Sequence, residues 1–281
     1  MAWTLEAFRS SLSSGATNVL QQVTYISAGA ILSPSGNGLQ VSAALSKIHS
    51  IFGVGATMEN ISPQAASMLP LPYPNLAPNN IGTAIESPAK FWDWSRNPKP
   101  LRPTETFNIF ASQTSTGAEN ELVFVQFTDG LVTAAPALAM GPAINGNGMF
   151  TTAHATATAT LTANAFTQVT PILDLPLPAG TYALVGVRVM SAKAMGFRIK
   201  PINEPLWRPG GVAVQAPDQL DPPGQRFINP LTGVVSHWGV WITFFQNTVP
   251  NVDIWSTAGD TKEDFWFDII KLSDIVTANA L

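Results

Sequence analysis

The chain has 281 residues, enough for one large domain or for two ordinary domains that each have a core of their own. Its net charge of −4 and the lack of a basic run exclude an electrostatic surface for nucleic acid. The absence of cysteine excludes disulfides, thiolate catalysis and zinc–thiolate sites.

The proportion of charged residues is low. They make up 11% of the chain, against about a quarter in average soluble domains, while 46% of the residues are apolar. Either much of the surface is hidden against neighbouring subunits, or the chain is rich in alanine, threonine and serine. The eight tryptophans and fifteen phenylalanines favour the first interpretation, because one modest core does not require so many.

The start of the sequence lacks the features of a signal peptide. Met1 to Trp3 is followed by Glu6 and Arg9, and not by a basic flank and an apolar run. No stretch approaches about 18 uninterrupted apolar residues. We therefore expect neither a membrane-spanning segment nor export by the usual signal.

Residues 1–20 predict a short amphipathic helix. Thr4 is a suitable N-cap, and Glu6 lies in the first turn, where the helix dipole favours an acid. Apolar residues recur at spacings of three and four, namely Leu5, Phe8, Leu12, Ala16 and Val19. This helix either docks on its own domain or forms an arm that packs on neighbouring subunits or a lipid surface. For the arm, we expect the contact to be made by Trp3, Leu5, Phe8 and Leu12.

From residue 21 onward the chain has β character. Val23 to Ile26 predicts a strand, and Gly36-Asn37-Gly38 predicts a turn. Leu45 to Ala56 predicts a further strand, in which Ile48 and Phe52 break the strict alternation of apolar and polar residues.

Ser62 to Pro103 predicts a long proline-rich loop. Proline lacks a backbone donor, so this segment is not a central strand. We expect it to be ordered, because Trp92 and Trp94 are costly to leave in water. The two tryptophans share a face if the segment is extended. They then bind a sugar, fill a subunit contact or pack on their own domain.

Two strand pairs near the ends of the two halves are alike. Gly233 to Leu272 contains four of the eight tryptophans and predicts three successive strands. Its second half matches Phe107 to Asp129 when Ile109 is set on Ile254 and, after a polar turn, Leu122–Val125 on Phe265–Asp268. The match predicts one β-domain built twice, with each segment closing its domain.

The connection between the halves is predicted at Leu131 to Gly148, a small, uncharged stretch punctuated by glycine and proline. With a boundary near Gly141, the first β-domain covers 21–141, including the proline-rich loop, and the second covers 142–281.

The second half predicts strands at short intervals. Met149 to Ala163 alternates with period two and has small side chains, and Phe166 to Leu175 predicts another strand. Tyr182–Val189 and Met195–Ile199 are predicted to form a pair. With the last three strands, this density is typical of a β-sandwich or jelly roll.

Residues with catalytic or metal-binding chemistry are sparse. His49, His154 and His237 lie on separate predicted strands, and none has a metal-ligand spacing to a neighbour. The sequence contains no Gly-x-Ser-x-Gly elbow, dinucleotide-binding fingerprint or Walker motif. These patterns predict no enzyme, no cofactor and no metal.

Carboxylates form two small groups. Asp218 and Asp221 lie in a predicted loop, and Asp260, Glu263 and Asp264 surround a lysine, Lys262, at a predicted hairpin turn. Paired acids can hydrolyse glycosides or hold calcium. The alternative is a solvated turn, which the lack of a calcium-loop pattern favours.

The second half resembles the double jelly-roll major capsid proteins of tailless, membrane-containing bacteriophages. The resemblance is carried by Gly180–Ile199 (GTYALVGVRVMSAKAMGFRI), Trp207–Gly211 (WRPGG), His237–Phe245 (HWGVWITFF) and Asn251–Ile270. It implies an all-β fold with two consecutive jelly-roll domains after the N-terminal helix.

The resemblance also implies a function. It implies self-assembly, as homotrimeric capsomers of pseudo-hexameric shape, into an icosahedral virion shell, after synthesis in the host cytoplasm. The implied partners are further copies, penton or minor capsid proteins and an internal lipid membrane reached by the N-terminal helix. Direct nucleic-acid binding is not expected, since the chain has no basic arm. The alternative function is a carbohydrate-binding or adhesive β-sandwich, such as a spike or fibre head, in which Trp92, Trp94 or Trp207 stacks on sugars.

Overall fold

A computed structural model of the protein describes residues 3–10, 19–26, 32–55, 57–68, 76, 78–80, 92–94, 97–114, 121–129, 150–200, 207–208, 210–213, 242–246 and 248–273. These residues form strands and two short 3-10 turns, Ala43–Leu45 and Ala66–Met68, and no α-helix occurs among them. Within the same ranges, no helix has the length and hydropathy needed to cross a membrane. The predicted all-β class is confirmed.

The first half contains twelve strands among its described residues. They are β1 (Trp3–Ser10), β2 (Gln21–Gln22), β3 (Thr24–Tyr25), β4 (Ser33–Ser35), β5 (Gly38–Gln40), β6 (Lys47–Gly55), β7 (Met58–Gln64), β8 (Asn79–Asn80), β9 (Trp92–Asp93), β10 (Lys99–Pro100), β11 (Thr106–Gln113) and β12 (Glu121–Thr128). The predicted turn at Gly36 is present, and Gly36 has a positive φ of 60° that glycine adopts without strain.

The second half contains ten strands among its described residues. They are β13 (Phe150–Ala157), β14 (Ala165–Val169), β15 (Ile172–Leu173), β16 (Thr181–Met190), β17 (Ala194–Lys200), β18 (Trp207–Arg208), β19 (Gly210–Val212), β20 (Ile242–Phe245), β21 (Asn251–Ser256) and β22 (Glu263–Ser273). Strands were therefore predicted in the right places for β13 to β17 and β20 to β22.

The chain divides into two compact units. Unit 1 comprises residues 1–131 with 206–212, and unit 2 comprises residues 132–205 with 213–281. The boundary predicted near Gly141 lies outside the described residues.

Unit 1 contains two sheets around one core. One sheet runs β10-β6-β12-β1-β18, with β3 also paired to β1 and with β8 and β9 paired to β6. The other runs β2-β11-β5-β4, with β7 also paired to β11. The core cluster draws residues from both sheets. At its centre, the Phe107 ring lies 6.0 Å from that of Phe8 and 5.6 Å from that of Phe127.

Unit 2 also contains two sheets. One runs β15-β13-β22-β16-β20, and the other contains β14-β21-β17 in that order. The predicted pairing of Tyr182–Val189 with Met195–Ile199 is wrong. Both strands exist, as β16 and β17, but β16 pairs with β20 and β22 whereas β17 pairs with β21. The chain crosses from one sheet to the other between them.

The two units share a pattern of strand pairing. The first strand pairs with the closing strand, as β1 with β12 and β13 with β22. The strand before the closing one pairs on both sides, as β11 with β2 and β7, and β21 with β14 and β17. The closing strand also pairs with a third strand, β6 or β16. The segments predicted to be equivalent therefore occupy equivalent positions.

A β-bulge occurs at the same place in both units. On β6, Ser50 and Ile48 face successive residues of β12, which leaves His49 as the extra residue. On β16, Gly186 and Leu184 face successive residues of β22, which leaves Val185 as the extra residue. The bulge also explains why Ile48 breaks the alternation in the sequence: Ile48 and Ile51, three apart, both lie in the core.

The predicted alignment of the closing strands is wrong by one residue. β1 and β13 have eight residues each, and setting one on the other places Glu121 on Glu263 and Val123 on Phe265. The sequence alignment set Val123 on Trp266 instead. A shift by one residue moves a side chain to the opposite face of a sheet, and Val123 is a core residue whereas Trp266 is partly exposed.

The helix predicted for residues 1–20 is wrong over residues 3–10, which form β1 and pair with β12 along its whole length. Leu5 and Phe8 are fully buried in unit 1. When both faces of a strand are buried, apolar residues can recur at spacings of three and four. This spacing led to the wrong prediction of a helix. Trp3 also lies in β1, Leu12 lies outside the described residues, and contact of these four residues with a subunit or membrane stays a prediction.

Candidate functional site

One face of the unit 2 sheet concentrates charged and aromatic side chains; we call it the polar face and define it by His154, Arg188, Asp264, Trp266 and Asp268. The strand register places His154 of β13, Trp266 of β22 and Arg188 of β16 side by side. Asp264 and Asp268 lie on the same face of β22 because strand side chains alternate with period two.

His154 is held between two carboxylates. Its Nδ1 lies 2.5 Å from Asp174 Oδ2, and its Nε2 lies 3.5 Å from Asp264 Oδ1. The imidazole ring also lies 4.9 Å from the Trp266 ring. Lys262 Nζ lies 3.8 Å from the second oxygen of Asp264. Asp174 and Asp264 therefore face cationic or hydrogen-bonding partners within the same unit. Folding brings these residues together, and their spacing in the sequence did not predict the contact.

Arg188 and Asp268 form a buried ion pair. The Arg188 Nη2 donates to Asp268 Oδ1 over 3.3 Å, and Thr152 Oγ1 donates to the same oxygen over 2.6 Å. Both charged side chains are buried. Desolvation of two such charges is costly, so the pair is tolerated because each charge has its counter-charge in contact.

The turn between β21 and β22 holds Asp260 in an open, hydrogen-bonded position. Partial burial acts to raise the pKa of Asp260, but hydrogen bonds outweigh it and lower this pKa below its usual value. The Ser191 hydroxyl donates to Asp260 Oδ2 over 2.6 Å, and the Thr261 amide donates to Oδ1 over 2.9 Å.

Glu263, the first residue of β22, has the opposite environment. Its side chain is fully buried, and this burial raises its pKa to about 7. Repulsion from Asp260 and Asp264 contributes to this rise, while a hydrogen bond from the Ala159 backbone opposes it. Neighbouring acids with separated pKa values resemble an acid–base pair, but Glu263 has no exposed surface with which to contact a substrate.

The two carboxylate groups noted in the sequence differ in how far the structure describes them. No group of three or more histidine, aspartate or glutamate residues in those ranges is arranged to hold a metal ion. Asp218, Asp221 and His237 lie outside the described residues. For Asp260, Glu263 and Asp264, the contacts support a structural turn.

His49 is a buried residue of unit 1 and lies at the bulge of β6. Burial lowers its pKa to about 3, so the imidazole is neutral at physiological pH. Its backbone oxygen accepts a hydrogen bond from the Trp94 amide over 2.8 Å. His49 therefore belongs to the packing of the β6–β9 region.

Trp92 and Trp94 share a face, as predicted, and stack on each other with ring centroids 5.0 Å apart. Trp94 also packs against the unit 1 core. These contacts support the packing alternative over a sugar platform, because each indole already uses one ring face. Trp207 lies on β18, which pairs with β1, and its side chain is outside the description.

Unit 1 contains a buried carboxylate that the sequence assigned to a helix end. Glu6 is fully buried, with Thr4 Oγ1 donating to its Oε1 and Tyr25 Oη to its Oε2, each over 2.6 Å. Tyr25 is itself a member of the core cluster. Through the hydrogen bond from Tyr25, Glu6 therefore links β1 to β3 inside the core.

No family model matches the sequence, and no curated protein matches it. Among solved structures, the chain is similar to the crystal structure of the major capsid protein P2 from Bacteriophage PM2. The identity is 10% and the TM-score 0.24, over 99% of this chain and 100% of that chain. A TM-score of this size carries no conclusion about fold or function, so these comparisons assign the chain to no family.

Proposed function

We propose that this chain is a viral major capsid protein of the double jelly-roll type. It assembles as trimeric, pseudo-hexameric capsomers into an icosahedral shell, and its location is the virion. The proposal combines the family resemblance of the sequence with the strand pairing of the two units.

The observation that carries the proposal is the nested pairing of strands in each unit. In unit 2, β13 pairs with β22, β14 with β21, and β16 with β20, so that early strands pair with late ones from the outside inward. In unit 1, β1 pairs with β12, β2 with β11, and β6 with β10 in the same order. This pairing arises when a long antiparallel hairpin is rolled into two sheets. It is typical of a jelly roll, a fold that many capsid proteins use.

The composition supports a protein whose main partner is itself. Burying uncharged surface between two copies costs little desolvation free energy. A chain with only 11% charged residues has much uncharged surface. The further partners are penton or minor capsid proteins. The membrane contact expected from an N-terminal helix is not part of the proposal, because residues 3–10 form a buried strand.

Light scattering and electron microscopy of the purified full-length protein test this function. We expect trimers or larger closed particles at micromolar concentration, with three double-domain chains in each capsomer. A protein that stays monomeric over the whole concentration range contradicts the proposal.

A further inference from the structure

Two polar side chains of unit 1 are completely buried next to the bulge of β6. Ser50 of β6 and Gln126 of β12 are both 0% exposed, and they lie directly opposite each other in the ladder. The Ser50 hydroxyl and both amide atoms of Gln126 have no hydrogen-bond partner in the part of the chain that the structure describes. Buried polar groups in proteins are hydrogen-bonded in the large majority of cases, so this pair requires an explanation.

Gln126 lies on the face of β12 that points away from the core cluster. The residues before and after it on β12 belong to that cluster, and the side chains of a strand alternate between its two faces. The residue opposite Gln126 on β1 is Leu5, which is fully buried. The next row on this face contains Phe52 and Phe124. The β1 neighbour and this adjacent row therefore offer Gln126 no hydrogen-bonding side chain.

Unit 2 shows how the equivalent position is satisfied when its neighbours are polar. Setting β1 on β13 places Gln126 on Asp268. The Asp268 carboxylate accepts hydrogen bonds from the Thr152 hydroxyl and from the Arg188 guanidinium. The polar group at this position of unit 2 is therefore satisfied by side chains of its own sheet.

The positions of these two donors carry hydrocarbon in unit 1. Leu5 occupies the position of the hydroxyl donor, and Phe52 occupies that of the guanidinium donor. Conversely, Ser50 lies where unit 2 has Gly186, so unit 1 has a hydroxyl that unit 2 lacks. Gln126 has thus lost both side-chain donors of the unit 2 arrangement and faces a serine instead.

We propose that Ser50 and Gln126 bind a buried water molecule, which bridges the two side chains across the β6–β12 ladder. Opposite residues have Cβ atoms about 5 Å apart, and a water with two hydrogen bonds of about 2.8 Å spans a gap of that size. The hydroxyl and the two amide atoms give the water three polar partners, the usual number for a buried water. Neither side chain is charged, so the site suits a neutral molecule and not an ion. The water site does not depend on the proposed shell function.

A double-mutant cycle in the full-length protein tests the bridge. Ser50→Ala and Gln126→Met each remove one side of the site and leave an apolar side chain in its place. We expect each change to raise the unfolding equilibrium constant about fivefold, because the group that remains loses its bridged partner while still buried. In the double variant the rise should be smaller than the product of the two single effects, since the second change removes a group that has already lost the bridge. Urea unfolding at one fixed protein concentration measures all four proteins.

Ser62→Ala provides the matched control. Ser62 lies on β7, in the other sheet of unit 1, and is 1% exposed. Its hydroxyl also has no partner among the described residues, but the residue opposite it on β11 is Phe110 and not a polar residue. The effects of Ser62→Ala and Gln126→Met should therefore multiply in the combined variant.

Two outcomes of the cycle overturn the water site. If Ser50→Ala or Gln126→Met stabilises the protein, the polar groups are buried without a partner. If the single effects multiply in the double variant, no water couples the two side chains. A crystal structure that resolves ordered water gives a second test that is independent of stability. Solvent density within hydrogen-bond distance of both Ser50 Oγ and the Gln126 amide supports the site, whereas a direct hydrogen bond between the two side chains or an empty site overturns it.

Discussion

The closing strands of the two units have equivalent neighbours but carry different chemistry on one face. In unit 1, Phe124 of β12 lies between Ala7 of β1 and Phe52 of β6, and the two phenylalanine rings stack at 5.1 Å. In unit 2, the equivalent row consists of Trp266 between His154 and Arg188. An apolar row in one unit corresponds to an ionic row in the other.

This difference shows that strand pairing and face chemistry vary independently. Strand pairing depends on backbone hydrogen bonds, which many different side chains permit. The pairing of the closing strand and the bulge opposite it therefore occur in both units. The same face carries apolar side chains in unit 1. In unit 2 it carries charged side chains such as Arg188, which is compensated by the Asp268 carboxylate. The two units also bury different titratable groups, among them His49 in unit 1 and Glu263 in unit 2, and the following variants test that contrast.

The largest expected effect concerns His49 in unit 1. Its folded pKa of about 3 lies below the ordinary 6.5, so the folded state excludes the proton. Its contribution to stability is complete above pH 6.5 and is lost as the pH falls towards 3, on the order of 5 kcal/mol. His49→Val, which installs the residue found at the unit 2 bulge, should remove this loss. Urea unfolding at pH 7 and pH 3.5 measures it, and equal losses in variant and wild type would contradict the prediction.

Glu263 in unit 2 should act in the opposite direction. Its folded pKa of about 7 lies above the ordinary 4.5, so the folded state favours the protonated carboxyl. Its contribution is complete below pH 4.5 and is lost as the pH rises to 7, on the order of 3 kcal/mol. Glu263→Gln should therefore stabilise the protein at pH 8, as measured by urea unfolding.

The matched control is Glu121→Gln, at the equivalent position of β12. Glu121 accepts a hydrogen bond from the Thr57 hydroxyl over 2.7 Å, so loss of its charge should give no stabilisation at pH 8. A Glu263→Gln variant whose stability follows the wild-type pH curve would show that Glu263 is not the titrating group.

A smaller effect is expected from Tyr25→Phe in unit 1. This change removes one of the two hydroxyl donors of buried Glu6 and should cost about 2 kcal/mol. Tyr182→Phe in unit 2 is the comparison, because Tyr182 donates to the neutral backbone oxygen of Pro178 and its loss should cost about 1 kcal/mol. Chemical denaturation at pH 7 gives both values; a reversed order would mean that Glu6 does not depend on Tyr25.

The smallest effect is expected from Thr152→Val on the polar face. Valine keeps the shape but loses the hydrogen bond to Asp268, which retains Arg188, so the cost should be about 1 kcal/mol. The exposed Thr158, changed to valine in the same strand region, should give a change near zero. Equal effects of the two variants would indicate that the Thr152 hydrogen bond contributes nothing.

Much of the β architecture was predictable, because its signals are local. Turn residues such as Gly36 and the alternation in β13 depend only on neighbours in the sequence. The equivalence of the two closing segments was also visible, since polar turns and aromatic strands recur in the same order. Its exact register was not, because a residue's face depends on which strand it meets.

The remaining features depend on contacts between distant residues. Glu6 suits a helix start as well as it suits a buried site, and only Tyr25, nineteen positions away, decides between them. His154 likewise gains its partners from Asp174 and Asp264 through folding. Local pattern carries no signal for such pairs, and the helix predicted over residues 3–10 was wrong for the same reason.

The pairing of first and closing strands has a consequence for biosynthesis. β1 cannot find its partner β12, nor β13 its partner β22, until almost all of the unit has left the ribosome. At ordinary translation rates this delay is on the order of ten seconds per unit. Throughout it, the first strand offers its unpaired edge to any other nascent chain, as slow, non-local topologies do. Lower expression temperature and slower initiation should therefore favour soluble product, because they reduce the number of waiting edges that meet.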